Sequence, residues 1–110
     1  MKIIETDYFN EQVLTLKKRF KLIEKDIYQF KNNLVKEPFS NLWLWIYKYR
    51  IWNSSIPVWK RSWFRIIIFI QDCIYIPLLI YSKNIKSNVD KEEIKEAFVK
   101  VNLELNKNNN

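Results

Sequence analysis

The sequence predicts an α+β domain: a short strand and two helices, then three strands of a mainly antiparallel sheet, then a C-terminal helix. Three observations predict it. Apolar residues recur at helical spacing twice between Phe9 and Leu34. Side chains alternate with a period of two from Trp43 to Trp52, and two isoleucine-rich runs follow. A last helical stripe extends from Ile94 to Leu105. The chain has 110 residues, which suits one domain. That domain is expected over residues 1–105, with 106–110 as a disordered polar tail. No internal repeat and no domain boundary stand out.

Lys2–Thr6 reads as a short strand, and Asp7 as the N-cap of a helix over about 8–19. Phe9, Val13, Leu16 and Phe20 lie on one face of it, at spacings of 4, 3 and 4. Ile23, Ile27, Phe30 and Leu34 repeat that spacing in a second helix over about 22–36, which Pro38 stops. The join near Phe20 lacks a breaker, so one long bent helix is the alternative. Trp43–Trp52 reads as a strand. Its alternation puts Lys48 and Arg50 on one side, with Leu44, Ile46 and Trp52. Asn53-Ser54-Ser55 is turn material. Trp63–Ile70 forms the second strand, Gln71-Asp72 the turn and Ile74–Tyr81 the third. Pro77 within it calls for a bulge or an edge position. Asp90 and Glu93 have the spacing of a capping box for the last helix, whose stripe is Ile94, Phe98, Val101 and Leu105.

Two membrane readings fail on charge. Charged residues from Lys2 to Asp7 interrupt the N-terminus, so no secretory signal is expected there. Trp63–Tyr81 is long and apolar, but Asp72 falls near its middle, where insertion costs roughly 2.5–3.5 kcal/mol. The polar pair Gln71-Asp72 suits a hairpin turn instead.

Composition excludes several chemistries. There is no His, no Gly and a single Cys, Cys73. A His-based triad, a zinc finger, an internal disulfide and every Gly-rich phosphate loop are therefore ruled out. The carboxylates form no evident metal set, so no metal and no cofactor are expected. Cys73 is expected to be buried rather than reactive. Without glycine, left-handed backbone positions are expected to fall to Asn or Asp.

The net charge is +7, and residues 43–89 alone carry +6, with Asp72 as their one acid. All five tryptophans lie in the same section: Trp43, Trp45, Trp52, Trp59 and Trp63. Cations for phosphates and flat rings for bases are what an unpaired nucleic-acid strand requires. The competing reading assigns the tryptophans to the core or to a partner's groove.

The stretches Tyr47-Lys48-Tyr49-Arg50-Ile51, Asn53-Ser54-Ser55, Lys60-Arg61-Ser62-Trp63-Phe64-Arg65-Ile66-Ile67 and Leu79-Ile80-Tyr81-Ser82-Lys83 follow one another in an order that resembles the RelE superfamily of toxin–antitoxin toxins, closest to its HigB-like branch. The likeness covers about residues 8–100. It implies two helices on one face of the sheet and basic residues on the other. It further implies ribosome-dependent cleavage of messenger RNA, a cyclic phosphate product, a cytoplasmic location and no membrane. The implied partners are the ribosome with its mRNA and a cognate antitoxin that wraps the toxin in a hetero-oligomer. By position, Lys48, Arg50, Arg65 and Lys83 match the family's catalytic basic residues. Beside them, Lys60, Arg61 and Lys86 are expected to steer phosphates, and Trp52 and Trp63 to contact the RNA. Ser62-Trp63 stands where the family usually has Ser-Gly, and no tyrosine follows Tyr81.

Cleavage by an RNA's own 2′-hydroxyl needs a base, cations for the phosphorane and a proton for the leaving 5′-oxygen. Arg50 and Arg65 suit the cationic task, because guanidinium forks pair with phosphate oxygens. A lysine base would need its pKa lowered by about three units from about 10.4. One cation about 6 Å away supplies about two units of that. Lys48 therefore reads first as an electrostatic stabiliser and second as a base, against a plain solvated lysine. Two other readings of the chain stay open: a gyrase-directed toxin of the related ParE branch, and a non-catalytic basic module that binds RNA, an antitoxin or a membrane surface.

Overall fold

The computed structural model describes residues 2–34 and 39–108. Along the chain lie β1 (Lys2–Ile3), α1 (Asp7–Lys17), α2 (Ile23–Asn32), β2 (Phe39–Trp43), β3 (Ile46–Trp52), a 3-10 turn (Val58–Lys60), β4 (Trp63–Gln71), β5 (Ile74–Ser82) and α3 (Lys91–Asn108). The five strands form one mixed sheet in the order β1-β5-β4-β3-β2. Among the described residues only β1 is parallel to its neighbour; the other pairings are antiparallel. The predicted α+β class and element order hold, with one strand more than expected. The helix stop assigned to Pro38 lies outside the described residues.

Helices α1 and α2 cover one face of the sheet. Phe9, Val13, Phe20, Ile23, Ile27, Phe30 and Leu34 bury their side chains there against Tyr49, Ile51, Phe64, Ile66, Ile68 and Ile80. They are the two predicted apolar stripes, and the bend between the helices sits at residues 18–22. Thr6, not Asp7, caps α1: its hydroxyl accepts from the Phe9 amide at 3.1 Å, and Asp7 sits in the first turn. A threonine cap and an acid one position later suit the same helix terminus equally well in sequence.

Helix α3 covers the opposite face, giving three layers. Ile94, Ala97 and Val101 are buried against Ile46, Ile67, Leu78 and Tyr81. The predicted stripe is rotated, since Ala97 is buried while Phe98 is 38% exposed. The capping box forms, with the Asp90 carboxylate accepting from the Glu93 amide at 2.8 Å. The helix continues through Asn108, so residues 106–108 are helical where a disordered tail was expected. Glu104 ties the two helical layers together. Its carboxylate accepts from the Asp7 amide at 2.7 Å and the Tyr8 amide at 3.0 Å, satisfying two of the free donors at the start of α1. No described helix is long and apolar enough to cross a membrane.

Trp43–Trp52 is not one strand. It is the end of β2, a turn at Leu44-Trp45 and β3. Leu44 takes φ 46° in that turn, and Asn41 fastens it by donating to the Leu44 carbonyl at 2.9 Å. The β4–β5 turn is Asp72-Cys73 rather than Gln71-Asp72. Both residues have positive φ, and Cys73 is exposed, not buried. The left-handed positions among the described residues are thus Leu44, Arg61, Asp72 and Cys73, only one of them the expected Asn or Asp. Turn geometry dictates where the positive angles fall, and the residue present bears the strain.

Pro77 marks a bulge. Ile68 pairs with Pro77 and Ile67 with Leu79, which leaves Leu78 as the extra residue. Here β5 has run past the two residues of β1. Gln12 of α1 replaces the missing strand: its carboxamide donates to the Leu78 carbonyl at 3.0 Å and accepts from the Ile80 amide at 3.2 Å. The bulge inverts the alternation of β5. Tyr75 and Ile80 face α1 and α2, whereas Ile76 and Tyr81 face α3.

Candidate nucleic-acid interface

On β3 and β4 the side chains of Ile46, Lys48, Arg50 and Trp52 share one face with Trp63, Arg65, Ile67 and Phe69, because each partner pair lies directly opposite. Arg50 opposes Arg65, and Arg65 opposes Tyr81 on β5. Directly opposed Cα atoms in an antiparallel ladder are about 4.5–5.5 Å apart. The sheet therefore carries a row Arg50–Arg65–Tyr81, with Lys48 one pleat from Arg50. On the other side of Arg50 stands the Trp52–Trp63 pair, edge to face at 4.8 Å. The Arg50 guanidinium lies over the Trp63 ring, 4.9 Å from its centroid.

This row has an unbalanced charge. Among the described residues, carboxylates within 4 Å engage Lys17, Lys31, Lys86, Lys95 and Lys100, but not Lys48, Arg50 or Arg65. Two like charges in direct opposition destabilise the sheet by roughly 0.2–1 kcal/mol. The arrangement is unfavourable in the free protein. Arg65 Nε and the Tyr81 hydroxyl are both buried, and neither has a hydrogen-bond partner among the described residues. Burial pushes the Tyr81 phenol upward, while Arg65 and Lys86 pull it down and Glu93 adds a smaller upward push.

The remaining predicted contacts divide. Lys83 follows β5, and its amide donates to the Trp63 carbonyl at 3.3 Å, so it extends the row beyond the tryptophan pair. Lys60 and Arg61 are exposed in the loop joining Trp52 to Trp63, at that same end of the sheet. The Lys60 ammonium rests 5.2 Å from the Trp59 ring centroid. Lys86 is held in an ion pair by Glu93 at the start of α3. None of the five tryptophans is buried, and Trp59 is 77% exposed. Trp43 packs, partly buried, against the core beneath α3, so the core reading holds in part for that ring.

A polar cluster holds the loop. The buried Asp26 carboxylate accepts from the Ser54 amide at 3.0 Å and the Ser54 hydroxyl at 2.6 Å. Buried Asn53 donates to the Ser62 hydroxyl oxygen at 3.3 Å, which also accepts from Asn84 at 3.1 Å. These bonds join α2, both ends of the loop and the segment after β5.

Sequence reasoning missed Tyr81, Lys91 and Asn88. With Lys48 and Trp43 they line a groove of about 420 Å³ beside the row. Lys91 lies 5.1 Å from the Trp43 ring centroid. A larger groove of about 560 Å³ runs between the β2–β3 turn and α3, but apart from Lys95 and Gln71 its lining is apolar, and it is remote from Arg50 and Arg65 in the sheet register. No three of Cys, Asp and Glu cluster as metal ligands among the described residues. No protein-family model, curated protein or solved structure matches the chain.

Proposed function

We propose that the chain is a RelE-type toxin of a toxin–antitoxin system, a ribosome-dependent endoribonuclease that cuts mRNA through the 2′-hydroxyl. The observation that carries this reading is the direct opposition of Arg50 and Arg65 on the face that also bears Lys48, with no carboxylate among the described residues within 4 Å of any of the three. Like charges set opposite each other suit a dianionic phosphorane, whose charge exceeds that of the ground-state phosphodiester.

In this mechanism Arg50 and Arg65 donate to the non-bridging oxygens of the scissile phosphate. Trp63 limits the motion of Arg50 from below. The 2′-oxygen attacks phosphorus as its proton leaves, the bond from phosphorus to the 5′-oxygen breaks, and that oxygen takes up a proton. A 2′,3′-cyclic phosphate and a 5′-hydroxyl result. Lys48 adds charge stabilisation one pleat away, and the ribosome orients the RNA. Lys83, Lys60 and Arg61 meet flanking phosphates, and Trp52 and Trp63 meet bases. The protein acts in the cytoplasm, and its cognate antitoxin binds it in a hetero-oligomer.

The test is induction in bacteria with mapping of RNA ends. Ribosome-phased cuts that disappear in Arg65→Ala and Lys48→Ala support the proposal. Double-strand DNA breaks with intact messages, or normal growth with the protein expressed, contradict it.

A further inference from the structure

The larger groove lies at the other end of the α3 face. Ile46 and Phe69, directly opposed on β3 and β4, are four residues along each strand from the Arg50–Arg65 pair and line the groove from the sheet. The β2–β3 turn supplies one wall with Leu44 and Trp45, and α3 the other with Phe98 and Val99. The Phe69 ring stands between them, 6.5 Å from Trp45 and 5.3 Å from Phe98. Apolar packing is incomplete here: Leu44 is 72% exposed and Val99 55%. Leu44 also takes φ 46°, where Gly would be less strained, and its side chain joins neither core cluster. A strained and exposed leucine at the mouth of an apolar groove breaks a local rule without a gain inside the fold, which is the mark of a functional position. Lys95 and Gln71 are the polar side chains of the lining, and no carboxylate lines it among the described residues. Glu92 pairs with Lys95 at 3.6 Å, but both side chains are exposed, so the pair is weak and open to exchange for another anion.

The volume of about 560 Å³ lies within the roughly 300–1,000 Å³ typical of small-molecule sites. A helix with its side chains fills roughly 420–610 Å³ per turn, so the groove would hold about one turn, too little to fix a helix. An extended peptide would bring amide and carbonyl groups against a lining with almost no partners for them. A second copy would set one net charge of +7 against another. An alkyl chain has no polar groups to satisfy, and a carboxylate at its end complements the Lys95 ammonium. We infer that this groove binds a free long-chain fatty acid, with its chain between Trp45 and Phe98 and its carboxylate on Lys95. The site is separate from the Arg50–Arg65 row and does not depend on the nuclease reading.

The experiment is a titration of the full chain with laurate below its micelle concentration, followed by NMR at the Trp45 indole, with butyrate and dodecyltrimethylammonium as controls. Saturable shifts are expected with laurate and none with butyrate. From octanoate through decanoate to laurate, affinity is expected to rise about threefold per added methylene. Dodecyltrimethylammonium has the same chain length and the opposite head charge, and is expected to bind about fivefold more weakly or worse. Lys95→Gln should narrow that difference without changing the melting temperature. Val99→Asp places a carboxylate in the groove at an exposed position, and is expected to abolish laurate binding in the folded protein. Equal affinity for the two head groups, affinity that does not grow with chain length, or full laurate binding by folded Val99→Asp overturns the site. Binding to phosphatidylglycerol vesicles without binding to monomeric laurate overturns it in favour of a membrane contact. A dimer that Val99→Asp dissolves and laurate does not disturb overturns it in favour of a contact between copies.

Discussion

Arg50 and Arg65 are paired residues of adjacent strands, so two permanent positive charges face each other on one side of the sheet. Folding alone does not favour that arrangement. Arg65→Gln keeps much of the aliphatic stem and removes the repulsion. Its stability is expected at the wild-type value or up to about 1 kcal/mol above it in a urea melt. Cleavage by the same variant is expected to fall by about 10²-fold or more.

Gln12 supports the bulge that turns Tyr81 toward the arginines. Gln12→Ala leaves the Leu78 carbonyl and the Ile80 amide without their partner. A loss of about 1–3 kcal/mol is expected by denaturant unfolding. Hydrogen exchange at the Ile80 amide should accelerate more than at amides of β3.

Glu104 joins α3 to the first turn of α1. Glu104→Ala removes both acceptors for the Asp7 and Tyr8 amides and is expected to cost about 1–2 kcal/mol. The end of α3 should then lose exchange protection before its capped start.

Cys73 has φ 65° in a turn where its predecessor Asp72 has φ 51°. Asp-Gly is the favoured pair for a two-residue turn with both angles positive. Cys73→Gly is expected to raise stability by about 1 kcal/mol, and Leu44→Gly, at φ 46°, by a similar amount. Thermal melts of the two variants check this.

Burial, with smaller effects from Tyr75 and Tyr47, pushes the Tyr49 phenol up to about 12. Below about pH 10 the folded and unfolded chains both hold this proton, so stability does not change through it. Between about pH 10 and 12 the unfolded chain releases the proton and the folded chain keeps it. Stability therefore falls in that window, by roughly 2–3 kcal/mol in all. Tyr49→Phe should flatten this part of the profile, measured as urea midpoints against pH.

Much of this architecture can be read directly from residue patterns, for identifiable physical reasons. The stripes Phe9–Phe20 and Ile23–Leu34 each pack on a single apolar face, so their spacing was sufficient. The Asp90–Glu93 box is a local bond pattern and formed as expected. β2 was hidden because Phe39-Ser40-Asn41-Leu42 is largely exposed and lacks apolar alternation, and because the turn after it is Leu44-Trp45, with neither Gly nor Asn. The shared face of Lys48, Arg50 and Arg65 followed from parity along two regular strands. Tyr81 did not, because a one-residue bulge inverts parity, and neither the pairing of Ile67 with Leu79 nor the role of Gln12 is local in sequence. Pro77 was the one signal available, and it gave the bulge without its consequence.

The most direct test of the central claim uses purified protein, translating ribosomes and an mRNA with a 2′-deoxynucleotide at the mapped cut. Cleavage of the all-ribose message is expected to leave a 2′,3′-cyclic phosphate, to stop at the deoxy position and to vanish in Arg50→Ala and Arg65→Ala. Cleavage that persists at the deoxy nucleotide, or that both arginine variants retain, contradicts the account.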